Sequence, residues 1–308
     1  MIVKPEEMDF SKQTFSAIIY GAPGVGKTTL ALSAPKPVLI DFDHGVSRVK
    51  AMHRAPTIMA DTYEEVLRDV KSEEIKEFET IVIDTGGSFV TYLKDWAFRV
   101  KGAKTKSGEF NSLKGFGFVK AEFTSFTDYV KNVLNKNVIY VFHSTEQADN
   151  NGEITQRLMC EGSVRNTVWN PCDFGGYVQM VGTKREICFT PEQEFFAKGT
   201  HGIEGHIAIP TLYEDTSNDF MTKLFKKAQE NIAMENALYQ PVRDQYEAVM
   251  AQVKEVLEAV TDADSANEAV EKLAALDHVL TSKTEASSLL KLKVNSLGMR
   301  FVKGKCVA

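Results

Sequence analysis

The stretch IIYGAPGVGKTT at residues 18–29 constrains the fold of this chain more than any other segment. An apolar run ends in a glycine-rich turn that passes into a helix. Gly21, Gly26, Lys27 and Thr28 match the P-loop pattern G-x-x-x-x-G-K-[ST] at every fixed position. Such a loop works only between a buried strand and a helix N-terminus, because its backbone N–H groups must converge on one concavity to bind phosphate oxygens. Glycines are required where a Cβ would keep the backbone from the phosphates or forbid the necessary φ. The pattern predicts an α/β fold that binds ATP with Mg²⁺. Gly21, Ala22, Pro23, Gly24, Val25, Gly26, Lys27, Thr28 and Thr29 would cradle the phosphates. Lys27 would reach the β- and γ-phosphates, and the Thr28 hydroxyl would hold the metal.

The chain downstream supplies what such a loop needs. Residues 14–20 read as the strand that feeds it, and the following helix stops near Ser33 because Pro35 and Pro37 come next. Residues 38–42 form a short apolar run ending in acids, the signature of a buried parallel strand. Residues 62–78 set Val66, Leu67 and Val70 on one face of an amphipathic helix. Residues 80–83 form a third strand with Asp84 at its carboxyl end, where open parallel sheets bind ligands. Apolar residues closed by Asp have the Walker B form, which puts Asp84 on the metal side opposite Thr28. Residues 138–142 form a fourth strand with His143 at its exit, where a polar residue would face the γ-phosphate; a strand-end histidine bonded to backbone is the competing reading. The segments DFGGYVQMVG, REICFTP and EFFAKG alternate apolar and polar residues and predict antiparallel strands, with the turn after Lys198 as an exposed hairpin end.

Between the third and fourth strands, helices are expected over 86–100 and 119–135. The segment 101–117 is rich in Gly, Ser and Lys and has no apolar period. Lys101, Lys104, Lys106 and Lys114 are interleaved there with Phe110 and Phe116. Lysines for phosphates and aromatics for stacked bases is a composition suited to single-stranded DNA, and a solvated loop with inward phenylalanines is the competing reading. The net charge of −6 confines any nucleic-acid contact to such a local patch. Residues 145–160 read as a polar, mobile connection.

No apolar run approaches the roughly 18 residues of a membrane span, and the acidic N-terminus lacks the core of a secretory signal. Cys160, Cys172, Cys188 and Cys306 form no C-x-x-C pair and have no His at zinc-ligand spacing. They read as free thiols in a cytoplasm. After residue 213 strand signals vanish. Helices over 217–231, 235–260 (interrupted near Pro241) and 265–298 predict a helical C-terminal region, 214–308, beside a core of 1–213.

Strand, P-loop and helix, then LIDFDHG, IVIDT, YVFHS and a block of hairpins follow the order of the RecA-like ATPase core. The chain resembles, over residues 14–213, the compact phage RecA-like proteins of the Sak type, which are ATP-binding single-strand annealing or recombination proteins. The resemblance implies a mainly parallel sheet flanked by helices, with antiparallel hairpins at one edge. It makes Asp43 the acid that activates water, a shorter carboxylate than the family's glutamate, with Asp41 as the competing candidate. It places DNA loops at 101–117 and 145–160. It sets Lys198 in a neighbour's ATP site, although Thr200 replaces the family's arginine, with Arg157 and Arg165 as substitutes. It further implies a homo-oligomer, ring or filament, with ATP at subunit interfaces, and a single-strand-binding protein as partner.

The leading functional expectation is therefore a DNA-dependent ATPase acting in annealing or strand exchange. A loader or scaffold switched by ATP is the alternative from another class. A small-molecule kinase fits poorly, because no Arg-rich lid follows the expected helices.

Overall fold

The computed structural model describes residues 10, 13–59, 61–148, 151–162, 164–213, 216–302 and 304–307. In chain order the N-terminal elements are β1 (Ser16–Gly21), α1 (Lys27–Ala31), β2 (Pro37–Asp41), β3 (Thr57–Ile58), α2 (Tyr63–Val70), β4 (Thr80–Asp84) and α3 (Gly86–Arg99). Then come α4 (Ser112–Asp128), β5 (Asn137–Ala148), β6 (Ile154–Leu158), α5 (Val164–Thr167), β7 (Phe174–Val181), β8 (Lys184–Cys188) and β9 (His206–Ile209). The chain ends with α6 (Phe220–Glu258), α7 (Ala263–Ala274), α8 (Ser282–Ser296), β10 (Arg300–Val302) and β11 (Lys305–Val307).

Among the described residues one nine-stranded sheet runs in the order β3-β2-β4-β5-β1-β7-β8-β9, with β6 paired to β5. The strands from β3 to β7 are parallel; β8 and β9 are antiparallel additions at one edge, and β6 is antiparallel to β5. The expected architecture is therefore present: a mainly parallel sheet flanked by helices, with antiparallel strands at one edge. The strand carrying the P-loop lies between β5 and β7, so β5 separates it from the strand that carries Asp84.

Both faces of β1 are buried, which is why its sequence is an unbroken apolar run. Ile18 and Tyr20 point into one core, while Ala17 and Ile19 point into the other. The first core is aromatic. Phe89 of α3 lies 5.1–6.4 Å, ring centre to ring centre, from Phe42, Tyr63, Phe123, Phe126 and Tyr140. Phe89→Ala should cost about 3–5 kcal/mol of stability. Denaturant unfolding checks this; a loss below about 1 kcal/mol would contradict the packing.

Several elements differ from the sequence reading. Residues 145–148 continue β5 rather than leaving it, and β6 pairs back antiparallel from Ser144↔Leu158 to Ala148↔Ile154. The expected polar connection is thus largely a β-hairpin, with residues 149 and 150 outside the described residues. EFFAKG forms only isolated bridges, Gln156↔Phe195 and Gly175↔Lys198, and the strand beside β8 is β9 instead. DFGGYVQMVG forms β7, which is parallel to β1 and antiparallel only to β8.

The chain divides into two compact units, residues 1–232 and 233–308. The first turns of α6 bury Met221, Leu224, Phe225, Ala228 and Ile232 in the second core of the N-terminal unit. The composition change at 213 therefore precedes the unit boundary. Pro241 does not interrupt α6, which runs unbroken from Phe220 to Glu258. A proline removes the hydrogen bond to the carbonyl four residues earlier, and Ala237 is exposed, so water can satisfy that carbonyl. The C-terminal unit packs on itself around Val249, Val253, Ala269, Leu273, Leu290 and Val294. It closes with the β10–β11 hairpin, a pair of strands the sequence reading lacks. No helix among the described residues is long and apolar enough to cross a membrane.

Candidate functional site

Gly21 ends β1 with φ 156°, and a Cβ there would lie 2.3 Å from the Val178 carbonyl oxygen. Gly26 precedes α1 with φ 86°, and a Cβ there would meet the Arg185 guanidinium at 2.4 Å. At Gly21 the backbone carbonyl excludes any Cβ, whereas at Gly26 the Arg185 side chain could move and the left-handed φ is what favours glycine. Between them, Ala22, Pro23 and Gly24 are exposed, and Val25 packs partly on the second core.

Lys27 is buried, and its ammonium donates to the Ala22 carbonyl at 2.8 Å. Its Nζ lies 3.4 Å from His143 Nδ1. That proximity follows from the sheet, because Gly21 and His143 are register partners. Burial pushes the Lys27 ammonium down to about 8, with Asp84 partly opposing the shift. Burial, then the charge of Lys27, lowers His143 as well, while Asp43 opposes and Arg48 adds to the fall. His143 is therefore a neutral ring at neutral pH. With Nδ1 accepting from Lys27, Nε2 carries the ring proton and can donate.

Thr28 Oγ1 donates to Asp84 Oδ2 at 2.6 Å, joining the two residues expected on the metal side. Burial raises Asp84 to about 6, the Thr28 hydrogen bond and the Lys27 charge opposing it, and Asp43 and Asp41 adding to it. A hydroxyl and a carboxylate beside a phosphate-binding loop are hard oxygen donors. They suit Mg²⁺, which takes few protein ligands and completes its shell with phosphates and water.

The two acids at the end of β2 have different surroundings. Asp41 is buried, and its two oxygens accept from Gly45 N (2.9 Å) and Val46 N (2.8 Å), so it holds the turn after β2. Asp43 is half-buried; its Oδ1 accepts from Ser88 Oγ and from Thr85 Oγ1 at 3.3 Å. Thr85 caps α3, its Oγ1 accepting from Ser88 N. The segment T-G-G-S thus supplies both the cap and the hydroxyls that orient Asp43.

Lys27, Thr28, Asp43, Asp84 and His143 line one cleft of about 180 Å³, together with Gly24, Gly26, Thr29 and Arg48. Asp43, Thr85 and His143 also line an adjoining cleft of about 530 Å³ that reaches Met159, Glu161, Gly162 and Arg165. On the other side, Gly26 and Thr29 border a small hollow with Arg185 and Asn218. Sequence reasoning missed Arg48, Arg185, Thr85 and Ser88. Arg48 follows Asp43 by five positions in DHGVSR, and T-G-G-S has cap spacing, so both signals were readable. Arg185 comes from β8 and has no local signal.

Lys198 is not at the cleft and not on a hairpin end. Its ammonium donates to the Cys172 carbonyl, and its backbone pairs with Gly175, at the opposite end of β1 and β7 from Gly21. Thr200 beside it donates to the Asp173 carbonyl at 3.1 Å. In this subunit Lys198 is half-buried and bonds inward, away from its own cleft. Of its substitutes, Arg157 lies over the Phe196 ring, while Arg165 borders the adjoining cleft and donates to Gln147 Oε1 and the Cys160 carbonyl.

In the basic segment Lys101, Lys104, Lys106 and Lys114 are exposed. Phe110 and Phe116 are half-buried rather than splayed into solvent. They pack against the first core with ring centroids 5.6 Å apart, and Lys94 lies over both. The stretch is also more ordered than a loop, since α4 begins at Ser112 and Lys104 bridges Phe110.

ATP binding should be coupled to protonation of Lys27. The triphosphate favours the charged ammonium, so binding near pH 8 should take up protons, and ATP affinity should fall as pH rises through about 8. Calorimetry in buffers of different ionisation enthalpy reads this directly; binding without proton uptake would contradict the buried-lysine geometry.

No curated protein matches the chain. Among solved structures, a KaiC-like protein of the hyperthermophilic archaeon Pyrococcus horikoshii is similar, at 12% identity and a TM-score of 0.34, over 64% of this chain and 89% of that one. That identity and score are too low to carry function. Residues 13–201, which contain β1 through β8 and every residue of the cleft, match the family model for an AAA domain. The chain belongs to the AAA domain family.

Proposed function

We propose that this protein is a Mg²⁺-dependent ATPase whose nucleotide state controls its hold on single-stranded DNA in annealing or recombination. One observation carries the hydrolytic part: an acid held by two hydroxyls shares a cleft with the P-loop lysine and the Thr28–Asp84 pair. Thr28 would hold Mg²⁺, with Asp84 on its far side through water, and the ion would neutralise charge on the β- and γ-phosphates. Asp43 takes the proton of the attacking water. Lys27 and Arg48 offset the negative charge of the γ-phosphoryl, and His143 donates toward it and registers its loss. Arg48 supplies in cis a cation that the sequence reading sought from Lys198.

The DNA part is supported by a connected path from the cleft to the exposed lysines. Glu161 and Gly162 border the cleft next to Asp43 and His143. Glu161 pairs with Lys94, Lys94 covers Phe110 and Phe116, and the Phe116 ring lies against Gly162. A shift of this segment on phosphate loss moves the support of the 101–114 stretch. Assembly into a homo-oligomeric ring or filament, and cooperation with a single-strand-binding protein, complete the proposal.

The test is single-stranded DNA affinity with a non-hydrolysable ATP analogue against ADP. A difference of roughly 5–150-fold is expected; equal affinities would contradict the coupling. Replacing Lys101, Lys104 and Lys106 together with alanine should weaken DNA binding and flatten its logarithmic salt dependence by roughly 0.7 per lost contact. An unchanged slope would return these lysines to ordinary solvated surface.

A further inference from the structure

The antiparallel pair β8–β9 carries a second group of chemistry-bearing side chains outside the nucleotide cleft. Cys188 and His206 are register partners across this pair, so their side chains share one face. Glu192, in the connection between the two strands, reaches the same point. Its Oε1 lies 2.5 Å from His206 Nε2 and 3.8 Å from Cys188 Sγ. One ligand atom from each of the three residues falls within 4.8 Å of the others. On the opposite side of the ring, His206 Nδ1 meets Glu186 Oε1 at 2.7 Å, and that oxygen accepts from Gln179 Nε2 at 2.9 Å.

A neutral imidazole has one N–H, yet this ring faces a carboxylate at each nitrogen. With that proton on Nδ1 toward Glu186, Nε2 is a lone pair aimed at Glu192. Either a second proton or a cation must sit there. A proton accounts for the His206–Glu192 contact, with the Cys188 thiol donating to the Thr190 carbonyl at 3.4 Å and weakly to Glu192. A cation would also draw in Cys188, a buried thiol set beside the same carboxylate.

We propose that Cys188, Glu192 and His206 bind a zinc-class divalent ion, with Glu186 positioning the His206 ring and water at the remaining position. The donor set of thiolate, imidazole and carboxylate selects a borderline-soft metal over Mg²⁺ or Ca²⁺. The carboxylate–histidine–metal arrangement is the usual outer-shell support for such an ion. Glu192 and His206 are partly exposed, which leaves an entry path. Zinc bond lengths place neighbouring ligands roughly 3.3–3.8 Å apart. The His206–Glu192 contact therefore opens by about 1 Å, within reach of a surface glutamate rotamer. The ion clips β9 to β8 and closes the connection between them. Sequence spacing hides the site, because Glu192 and His206 lie 4 and 18 positions after Cys188.

The experiment is titration of the chelator-stripped, full-length protein with Co²⁺ and Zn²⁺ in excess Mg²⁺. One tightly held ion per chain is expected, with a thiolate-to-cobalt charge-transfer band in the near ultraviolet. That band should be lost in Cys188→Ser and retained in Lys27→Ala, which separates this site from the nucleotide cleft. Glu186→Gln should weaken Zn²⁺ binding roughly 10–100-fold. His206→Asn, which keeps the thiol, should abolish tight uptake, so the result does not depend on Cys188→Ser folding. Absence of stoichiometric uptake, a band that survives Cys188→Ser, or unchanged affinity in His206→Asn would overturn the proposal.

Discussion

Asp43→Asn is expected to lower ATP turnover by roughly 10²–10⁴-fold while Mg²⁺–ATP still binds. Asparagine keeps the size of the side chain and can still meet Ser88 and Thr85, but it cannot take a proton from water. The same change at the buried Asp41, whose oxygens each accept a backbone amide from Gly45 or Val46, should instead loosen the turn after β2. Single-turnover phosphate release, alongside binding of a fluorescent ATP analogue, separates the two effects. Turnover of Asp43→Asn within a few-fold of the parent protein would remove Asp43 from the chemistry.

Lys27→Ala should reduce turnover by roughly 10²–10³-fold, the scale set by loss of one preorganised charge-stabilising donor. Unlike Asp43→Asn, it should also weaken ATP binding, since a P-loop lysine would contact the phosphates in ground and transition states alike. The ammonium is buried and shared between the Ala22 carbonyl and His143, so alanine removes a partner from each without touching the sheet. An unchanged unfolding midpoint together with lost turnover is the expected pair of results. Retained turnover would contradict the P-loop assignment.

The cleft was legible wherever its residues lie at the end of a strand. The P-loop, Asp84 and His143 follow from apolar runs that stop at the carboxyl edge of a parallel sheet, and the structure gathers all three. Asp41 and Asp43 could not be separated in sequence, because what distinguishes them is which backbone amides and hydroxyls fold back onto each. The expected hairpin end at Lys198 is absent for a related reason. EFFAKG alternates like a strand, but the sheet edge is taken by β9, and Lys198 turns inward to the Cys172 carbonyl. Phe110 and Phe116 look fully exposed in a lysine-rich stretch, but they pack partly against the core built by α3 and α4 because that contact removes apolar surface from water. The continuity of α6 through Pro241 was invisible because an exposed helix can lose one hydrogen bond to water.

The most direct measurement is steady-state phosphate release from Mg²⁺–ATP by the full-length protein at low salt, across a titration of single-stranded DNA. The account predicts turnover that rises with DNA and saturates, and that is lost in Asp43→Asn and Lys27→Ala at every DNA concentration. Phosphate release that stays flat across the titration would contradict the coupling to DNA, and no release above the level of Lys27→Ala would contradict hydrolysis at the cleft itself.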